Sequence, residues 1–226
     1  MASTYLSKTF GSAGTSDKIK TISAWIKRAT TGTENSIITA GASLRDLIRF
    51  ETSGAFRVRL SNGVSDLTTN RLFRDISAWY HIVVAFDTTQ ATASDRIKIY
   101  VNGLEETSFS TTTYPSPNQT LKLGTANPNH IGNDSEQTSP YFNGSMSHFH
   151  FIDGLAYDAS AFGQFDANGI WTPNASPSVT YGTNGFFLDF ADSTSMGNDV
   201  SGENNDFTVG GGDVTQTLDT PSDNFC

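Results

Sequence analysis

The stretch Trp79-Tyr-His-Ile-Val-Val-Ala-Phe-Asp87 is followed, after a short variable segment, by Ile97-Lys-Ile-Tyr-Val-Asn-Gly103. The first run is almost continuously apolar, which is typical of a central strand that is buried on both faces. The second run alternates, so its three aliphatic side chains share one face. It ends in Asn102-Gly103, a strong signal for a two-residue hairpin turn. These two segments predict a central strand covered on both faces and a second, alternating strand that ends in a hairpin turn.

Short strand-like segments continue outward from this pair in both directions. The predicted strands include residues 20–27, 36–40, 44–50, 55–60, 105–110, 121–124 and 146–152. The composition, with 29 Thr, 26 Ser, 20 Gly and 16 Phe, suits strands joined by short loops and suits helices poorly. Only a helical turn after Asp158 is predicted. The sequence therefore predicts an all-β sandwich or barrel.

Charge is distributed very unevenly along the 226 residues. Residues 1–122 hold all 14 Lys and Arg with 10 acidic side chains, and residues 123–226 hold 13 acidic side chains and no Lys or Arg. A stretch without fixed cations cannot neutralise phosphate, so the second half excludes nucleic acid and anionic membrane surfaces as partners. It remains suited to a cation or to a basic partner.

The single cysteine, Cys226, cannot form an intrachain disulfide, so packing must stabilise the fold. The N-terminal residues lack a signal-peptide pattern, and no apolar run is long enough to span a membrane. We therefore expect a soluble chain made in a cytoplasm. We assign residues 1–173 to the sandwich. Residues 174–226 are expected to be a C-terminal extension whose late strands, at 186–190 and 207–209, dock on the sandwich, followed by a tail.

The motif pair at residues 79–103 resembles the laminin-G/pentraxin group of concanavalin A-like sandwiches. Ile131-Gly132, Phe142-Asn-Gly-Ser-Met146 and Phe149-His-Phe-Ile-Asp153 match a later segment of the same group. The resemblance covers about residues 20–155. It implies a two-sheet jelly-roll sandwich of the concanavalin A-like, laminin-G-like kind with at most short helical turns. For this group it also implies rim loops that bind glycans or calcium.

A second resemblance is to structural proteins of tailed bacteriophages. It is carried by the following segments: Tyr5-Leu-Ser7, Phe151-Ile-Asp-Gly154, Ser160-Ala-Phe-Gly163, Gly169-Ile-Trp-Thr-Pro173, Tyr181–Asp192, Ser201–Phe207 and Asp219-Thr-Pro-Ser-Asp-Asn-Phe225. It implies a non-enzymatic fibre, tail or capsid-attached protein located in the virion. The implied partners are other virion proteins, further copies of itself as a homotrimer, and a host surface glycan. The alternative is a free lectin or adhesion module, and such a module could bind its ligand with or without calcium.

A glycan hydrolase is disfavoured. The six glutamates do not fall in the Glu-x-Asp-x-x-Glu spacing that paired-carboxylate catalysis uses in such sandwiches. No G-x-S-x-G elbow occurs either. His148 and His150 would share a face of a regular strand, but packing explains two histidines beside phenylalanines better than zinc does.

Candidate binding residues follow from residue type and loop context. Sugars stack on aromatic rings, and the candidates for glycan binding are Tyr114, Tyr141 and Trp171. Calcium takes carboxylate and amide oxygens. Two acidic loops, residues 133–136 and 199–206, offer them, and the calcium candidates are Asp134, Asp199, Asn204 and Asp206. The alternative for both loops is an ordinary polar turn held by Asx hydrogen bonds.

Overall fold

The computed structural model describes residues 4–134 and 140–221, apart from the side chain of residue 62. One sheet has eight strands, numbered in chain order and arranged as β10 (Phe109–Thr113), β6 (Ser65–Leu72), β5 (Ala55–Leu60), β4 (Asp46–Phe50), β3 (Asn35–Ala40), β11 (Pro128–Ile131), β1 (Tyr5–Thr9) and β16 (Thr208–Gly210). We call it the large sheet. Its neighbouring strands are all antiparallel.

The second sheet, the small sheet, has six antiparallel strands. Their order is β15 (Phe186–Leu188), β12 (Gly144–Asp153), β2 (Ile19–Arg28), β7 (Tyr80–Asp87), β8 (Ile97–Val101) and β9 (Leu104–Glu105). A separate hairpin is formed by β13 (Gly163–Phe165) and β14 (Trp171–Pro173). Three single 3-10 turns occur, one of them at Ala159–Ala161 as predicted, and the described residues contain no α-helix. The all-β two-sheet prediction is confirmed.

The main core lies between the two sheets. Its ring contacts include Phe50 with Phe56 and Phe73 on the large-sheet side. On the small-sheet side, Phe149 and Phe151 each stack on Phe186. The predicted central strand β7 lies between β2 and β8, and its residues 81–86 are all buried. Continuous apolarity predicted this placement, because a strand covered on both faces has no solvent-facing row.

The inward-facing row of β2 is apolar in the middle and cationic at both ends. Ile22, Ala24 and Ile26 belong to the main core. Lys20 and Arg28, the residues that extend this row, are 0% and 1% exposed. Lysine and arginine are rarely buried unless other groups compensate their charge. The sandwich therefore has a buried cation near each rim.

Lys20 is compensated by an ion pair that lies directly across the β2–β12 register. Its Nζ is 2.5 Å from Oδ1 of Asp153, and both side chains are fully buried. Asp153 also accepts hydrogen bonds from the backbone amides of Thr15 at 2.6 Å, Ser16 at 3.2 Å and Asn184 at 2.9 Å. One carboxylate thus joins β2, β12, the segment before β2 and the segment before β15.

Arg28 is compensated differently. Its guanidinium lies 4.8 Å from the ring centroid of Phe50 and donates to the carbonyl oxygen of Phe73 at 2.6 Å. A ring face and backbone oxygens take the place of a carboxylate here. The contact ties the end of β2 to the large sheet.

The outer face of the small sheet is covered by residues 155–181. Val83 and Ile152 on this face pack with Ala159 and Phe162 in a second apolar cluster. The hairpin turn at Asn102 and Gly103 has φ angles of 49° and 83°, as the Asn-Gly signal predicted. A Cβ on Gly103 would lie 2.5 Å from the ring of Trp171, so only glycine allows this close approach.

Two predicted strands differ from the structure. Residues 105–110 do not form one strand, because β9 ends in the small sheet and β10 begins in the large sheet. Residues 121–124 form no strand. Their Leu121 and Leu123 are buried, and the amides of Lys122 and Leu123 donate to Asp46 instead.

Residues after 173 supply one edge strand to each sheet, β15 beside β12 and β16 beside β1. The first lies within the predicted range 186–190, and the second is displaced by one residue from 207–209. Within the described ranges there is no helix of the length and apolarity needed to cross a membrane.

Candidate functional site: a groove at the rim of the sandwich

A groove with a cavity volume of about 1070 Å3 lies at the rim where β2 ends and β12 begins. Its sides come from the start of β1, the β2–β3 loop, the first half of β12, the residues after β15 and the C-terminal segment. Described residues that are far apart in sequence therefore meet there. Ligand pockets commonly have this size and are lined by apolar side chains with a few polar groups.

The C-terminal segment, residues 213–220, forms one wall of the groove. Asp219 accepts from Nζ of Lys27 at 2.7 Å and from Nε1 of Trp79 at 2.9 Å. Gln216 donates to the carbonyl oxygens of Phe190 at 3.1 Å and Ala191 at 3.0 Å. These contacts dock the segment on the small sheet and on the loop after β15.

Two tyrosines form an aromatic wall of the groove. The ring of Tyr5 stacks on His130 with centroids 4.9 Å apart, and the ring of Tyr141 lies 6.5 Å from Tyr5. Tyr141 forms an isolated β-bridge with Asn133, whose Oδ1 is 2.8 Å from Nδ1 of His130. Tyr5 and Tyr141 both line the groove. Two half-buried phenols held in place by neighbours offer a preorganised surface for a planar or ring-shaped ligand.

Backbone strain is located at the groove. Six non-glycine residues in the described part of the chain have a positive φ, and four of them are serine or asparagine. The other two, His148 with φ 47° and Phe190 with φ 58°, both line the groove. Bulky residues adopt this conformation only where their surroundings impose it, and such residues cluster at functional sites.

His148 owes its direction to a β-bulge. The β2–β12 register shifts between Ser147 and His150, so His148 is displaced from regular alternation. Bulges of this kind re-aim a side chain and often lie beside binding sites. Oγ of Ser147 lies 2.7 Å from Nδ1 of His148. Burial lowers the pKa of His148, and the nearby carboxylate of Asp189 opposes that shift.

The described lining contains four carboxylates, Glu34, Asp189, Asp213 and Asp219, and no Lys or Arg. Two of the four are paired with cations from outside the lining, Glu34 with Arg49 at 2.7 Å and Asp219 with Lys27 at 2.7 Å. The groove is thus acidic as well as aromatic.

Comparison with known proteins agrees with the geometry. Residues 3–158 match a laminin-G family model described as the concanavalin A-like lectin/glucanases superfamily. The chain belongs to this superfamily. The laminin-G and pentraxin resemblance seen in the sequence is confirmed. Among curated proteins none matches the chain.

Solved structures of the superfamily fold share little sequence with the chain. A heptameric SAP-like pentraxin from Limulus polyphemus is 13% identical, with a TM-score of 0.50 over 68% of this chain and 71% of that chain. Domains LG4-5 of the mouse laminin alpha1 chain are 16% identical, with a TM-score of 0.48 over 79% and 48%. The Ruminococcus gnavus IT-sialidase CBM40 bound to alpha2,3 sialyllactose is 14% identical, with a TM-score of 0.40 over 65% and 89%.

The three glycan candidates lie in three separate places. Tyr141 lines the groove. Tyr114 follows β10 and packs against the main core. Trp171 packs on the second cluster, and its Nε1 donates to Nδ1 of His81 at 3.0 Å. Its ring also covers Gly103, so Trp171 acts as an anchor for the β13–β14 hairpin. Nothing in the sequence marked Tyr5 as a glycan-binding residue, because its stacking partner His130 is 125 residues away.

The structure also contains a serine–histidine pair, and its geometry disfavours catalysis. Nε2 of His81 is 2.9 Å from Oγ of Ser23, and both residues are 0% exposed. An indole N–H can only donate, so Nδ1 of His81 accepts from Trp171 and Nε2 carries the proton. Burial lowers the pKa of His81 to about 3. The imidazole therefore donates to Ser23 and cannot take its proton.

The histidines do not form a metal site in the described part of the chain. His150 is 1% exposed, its Nδ1 is 2.9 Å from the hydroxyl of Tyr181, and its ring stacks on Phe187 at 3.9 Å. Among residues 4–134 and 140–221 no three His, Cys, Asp or Glu side chains are grouped so as to hold a metal.

The calcium candidates occupy two different loops. Asp134 lies 3.0 Å from Nη2 of Arg45, and Ser135 and Glu136 of the same loop lie outside the described residues. In the other loop, Asp206 accepts from the amide of Asp199 at 2.9 Å, and the Asn204 side chain donates to Gly202 at 3.2 Å. Calcium binding at these residues stays a prediction.

Asp199 organises its loop through backbone hydrogen bonds. Its Oδ1 accepts from the amides of Phe187 at 2.8 Å and Ser201 at 2.9 Å, and its Oδ2 accepts from Asn205 at 2.8 Å. All three donors are backbone groups, and the bond from Ser201, two residues on, is an Asx turn. It ties the loop to β15 next to the groove.

Replacing Asp199 with asparagine is expected to lower the free energy of unfolding by about 1–3 kcal/mol, because one backbone amide then faces an NH2 group. Urea unfolding in calcium and in EDTA checks this, and we expect the same loss in both. Glu203→Gln, an exposed change on the same loop, is the matched control. A loss that occurs only in calcium would make Asp199 a metal ligand instead.

Proposed function

We propose that this chain is a non-enzymatic recognition module that binds a glycan in the rim groove. The observation that carries the proposal is that the aromatic wall of Tyr5 and Tyr141 lines the same groove as two strained residues, His148 and Phe190. Sugar rings present apolar C–H faces that stack on phenols, and their hydroxyls bond to carboxylates and amides. Membership of a superfamily that includes lectins supports this choice of ligand.

Two observations favour binding over catalysis. The glutamate spacing of paired-carboxylate hydrolysis is missing from the sequence. The Ser23–His81 pair lies under Trp171, where it is fully buried and has the wrong tautomer for a general base. A polysaccharide panel incubated with the chain should release no reducing ends, and release that vanishes with one carboxylate variant would overturn the non-enzymatic role.

Removing the Tyr141 ring is expected to weaken glycan binding at least about tenfold, since a stacked aromatic contact contributes roughly 1 kcal/mol beyond the area it buries. A glycan array followed by titration calorimetry on the best ligand measures the effect of Tyr141→Ala. The matched control is Tyr114→Ala, which makes the same change at a half-buried tyrosine outside the groove lining. Melting curves confirm that both variants fold.

The two tyrosines were equal candidates from the sequence, so the comparison decides between them. If Tyr114→Ala abolished binding and Tyr141→Ala left it intact, the glycan would bind elsewhere, and the groove would not be the binding site. No binding of the unaltered chain to any glycan would overturn the function itself.

We propose further that the module is a component of a tailed-bacteriophage particle, where the groove contacts a host surface glycan or a neighbouring subunit. The phage-like segments, among them residues 151–154, 169–173 and 181–192, support this setting. Mass spectrometry of purified particles should find the chain. Light scattering should show a homotrimer, as in phage appendages. A chain that never co-purifies with particles would be a free lectin, and the virion role would fail.

A further inference from the structure

The groove has an electrostatic character that bears on which glycans it can take. Of its four lining carboxylates, Glu34 and Asp219 are neutralised by Arg49 and Lys27. Asp189 accepts a backbone hydrogen bond from the amide of Ala191 at 3.0 Å. Neither Asp189 nor Asp213 has an ion-pair partner among the described residues. Two negative charges therefore stand in the groove uncompensated.

The described lining offers no cation to offset them, and Lys27 and Arg49, which reach the groove from outside the lining, are already paired with Asp219 and Glu34. The first half of β12, the residues after β15 and the C-terminal segment form most of the groove, and all lie after residue 122, where the sequence contains no Lys or Arg. The lining residues from β1 and from the β2–β3 loop are likewise not basic. A carboxylate or sulfate on a ligand would be desolvated beside Asp189 and Asp213 with no positive partner.

An uncharged sugar would not be repelled by these two carboxylates and could form hydrogen bonds with them. Its hydroxyls are donors, and carboxylate oxygens are strong acceptors that form charge-assisted hydrogen bonds. The rings of Tyr5 and Tyr141 line the same groove and offer the stacking surface. The aromatic wall would hold the ring, and the free carboxylates would select the substituents.

We propose that the groove takes uncharged glycans and rejects glycans that carry a carboxylate or a sulfate. The inference rests on the proposed function and adds the class of ligand. It is a property of the groove and not of the chain's overall charge, because the selecting carboxylates are the two inside the groove that lack an ion pair.

The test is a glycan array of matched pairs, each a neutral oligosaccharide with its sialylated or sulfated derivative, at about 0.15 M ionic strength where distant charges are screened. We expect neutral members to bind at least about tenfold more tightly. The double variant Asp189→Asn/Asp213→Asn should reduce the ratio of the two dissociation constants, acidic to neutral, several-fold. Asp166→Asn/Asp192→Asn, the matched control, removes the same charge from residues outside the groove lining and should leave the ratio unchanged.

The outcomes are distinct. Acidic derivatives that bind as tightly as their neutral partners overturn the inference and leave the proposed function standing. A control variant that narrows the ratio as much as the groove variant also overturns it, because selection would then come from net charge. A chain that binds no member of the array overturns the proposed function and the inference with it.

Discussion

Replacing Asp153 with asparagine is expected to lower the free energy of unfolding by about 3–5 kcal/mol, because a buried cation is left without its counter-charge. The Lys20 ammonium is fully buried and its pKa is lowered by that burial, which the charge of Asp153 opposes. The amides of Thr15 and Asn184 also lose a charged acceptor. Guanidinium unfolding at neutral pH measures the loss.

Two variants make this prediction specific. Asp17→Asn breaks the half-exposed pair of Lys18 and Asp17, 2.7 Å apart, and should cost less than about 1 kcal/mol. Lys20→Met combined with Asp153→Asn should cost less than the sum of the single changes, since no unpaired ammonium remains. If Asp153→Asn destabilised no more than Asp17→Asn, the ion pair would not be holding these strands together.

The second large effect is a pH dependence carried by Asp46. This carboxyl is 0% exposed, and burial raises its pKa to about 6, although the amides of Lys122, Ser61 and Leu123 oppose the shift. Between pH 4 and 6 the folded chain holds a proton that the unfolded chain has released. The stability contributed by Asp46 therefore falls as pH rises through this window, by about 3 kcal/mol in total.

Asp46→Asn removes the titrating group and keeps an acceptor in place. Urea unfolding from pH 4 to pH 7 should show the variant gaining about 3 kcal/mol relative to the unaltered chain across that range. Asp75 is the contrast, because hydrogen bonds from Ser77 lower the pKa of its exposed carboxyl. Asp75→Asn should change the pH dependence of the free energy of unfolding in the opposite direction, and at pH values below this range. Parallel curves for Asp46→Asn and the unaltered chain would contradict the prediction.

Much of the fold could be predicted from local pattern. The run at residues 79–87 indicated a central strand, and β7 lies between β2 and β8. The Asn102-Gly103 turn could be predicted because only a few residue types adopt its positive φ angles. The division of residues 105–110 between two sheets could not be predicted, because no local pattern marks where the chain leaves one sheet for the other.

The candidate site was only partly predictable. Tyr141 was identified from its loop context, and it lines the groove. Trp171 had the same residue-type signal, yet its ring is packed against Gly103 and its N–H is bonded to His81. Exposure of an aromatic ring depends on what packs over it, and that information lies in distant segments. The bulge that displaces His148 could not be predicted either, because a two-residue alternation predicts only regular strands.

The sequence by itself determined the all-β class, the central strand at residues 79–87, the Asn102-Gly103 hairpin turn and the charge division between residues 1–122 and 123–226. Each depends on residue type or on alternation between neighbours, which the chain carries locally. Tertiary structure alone decided that Lys20 and Arg28 are buried and that the acidic second half lines an aromatic groove. Burial of a cation requires partners, and those of Lys20 lie more than 100 residues along the chain, at Gly124 and Asp153. Only the folded sandwich brings them together.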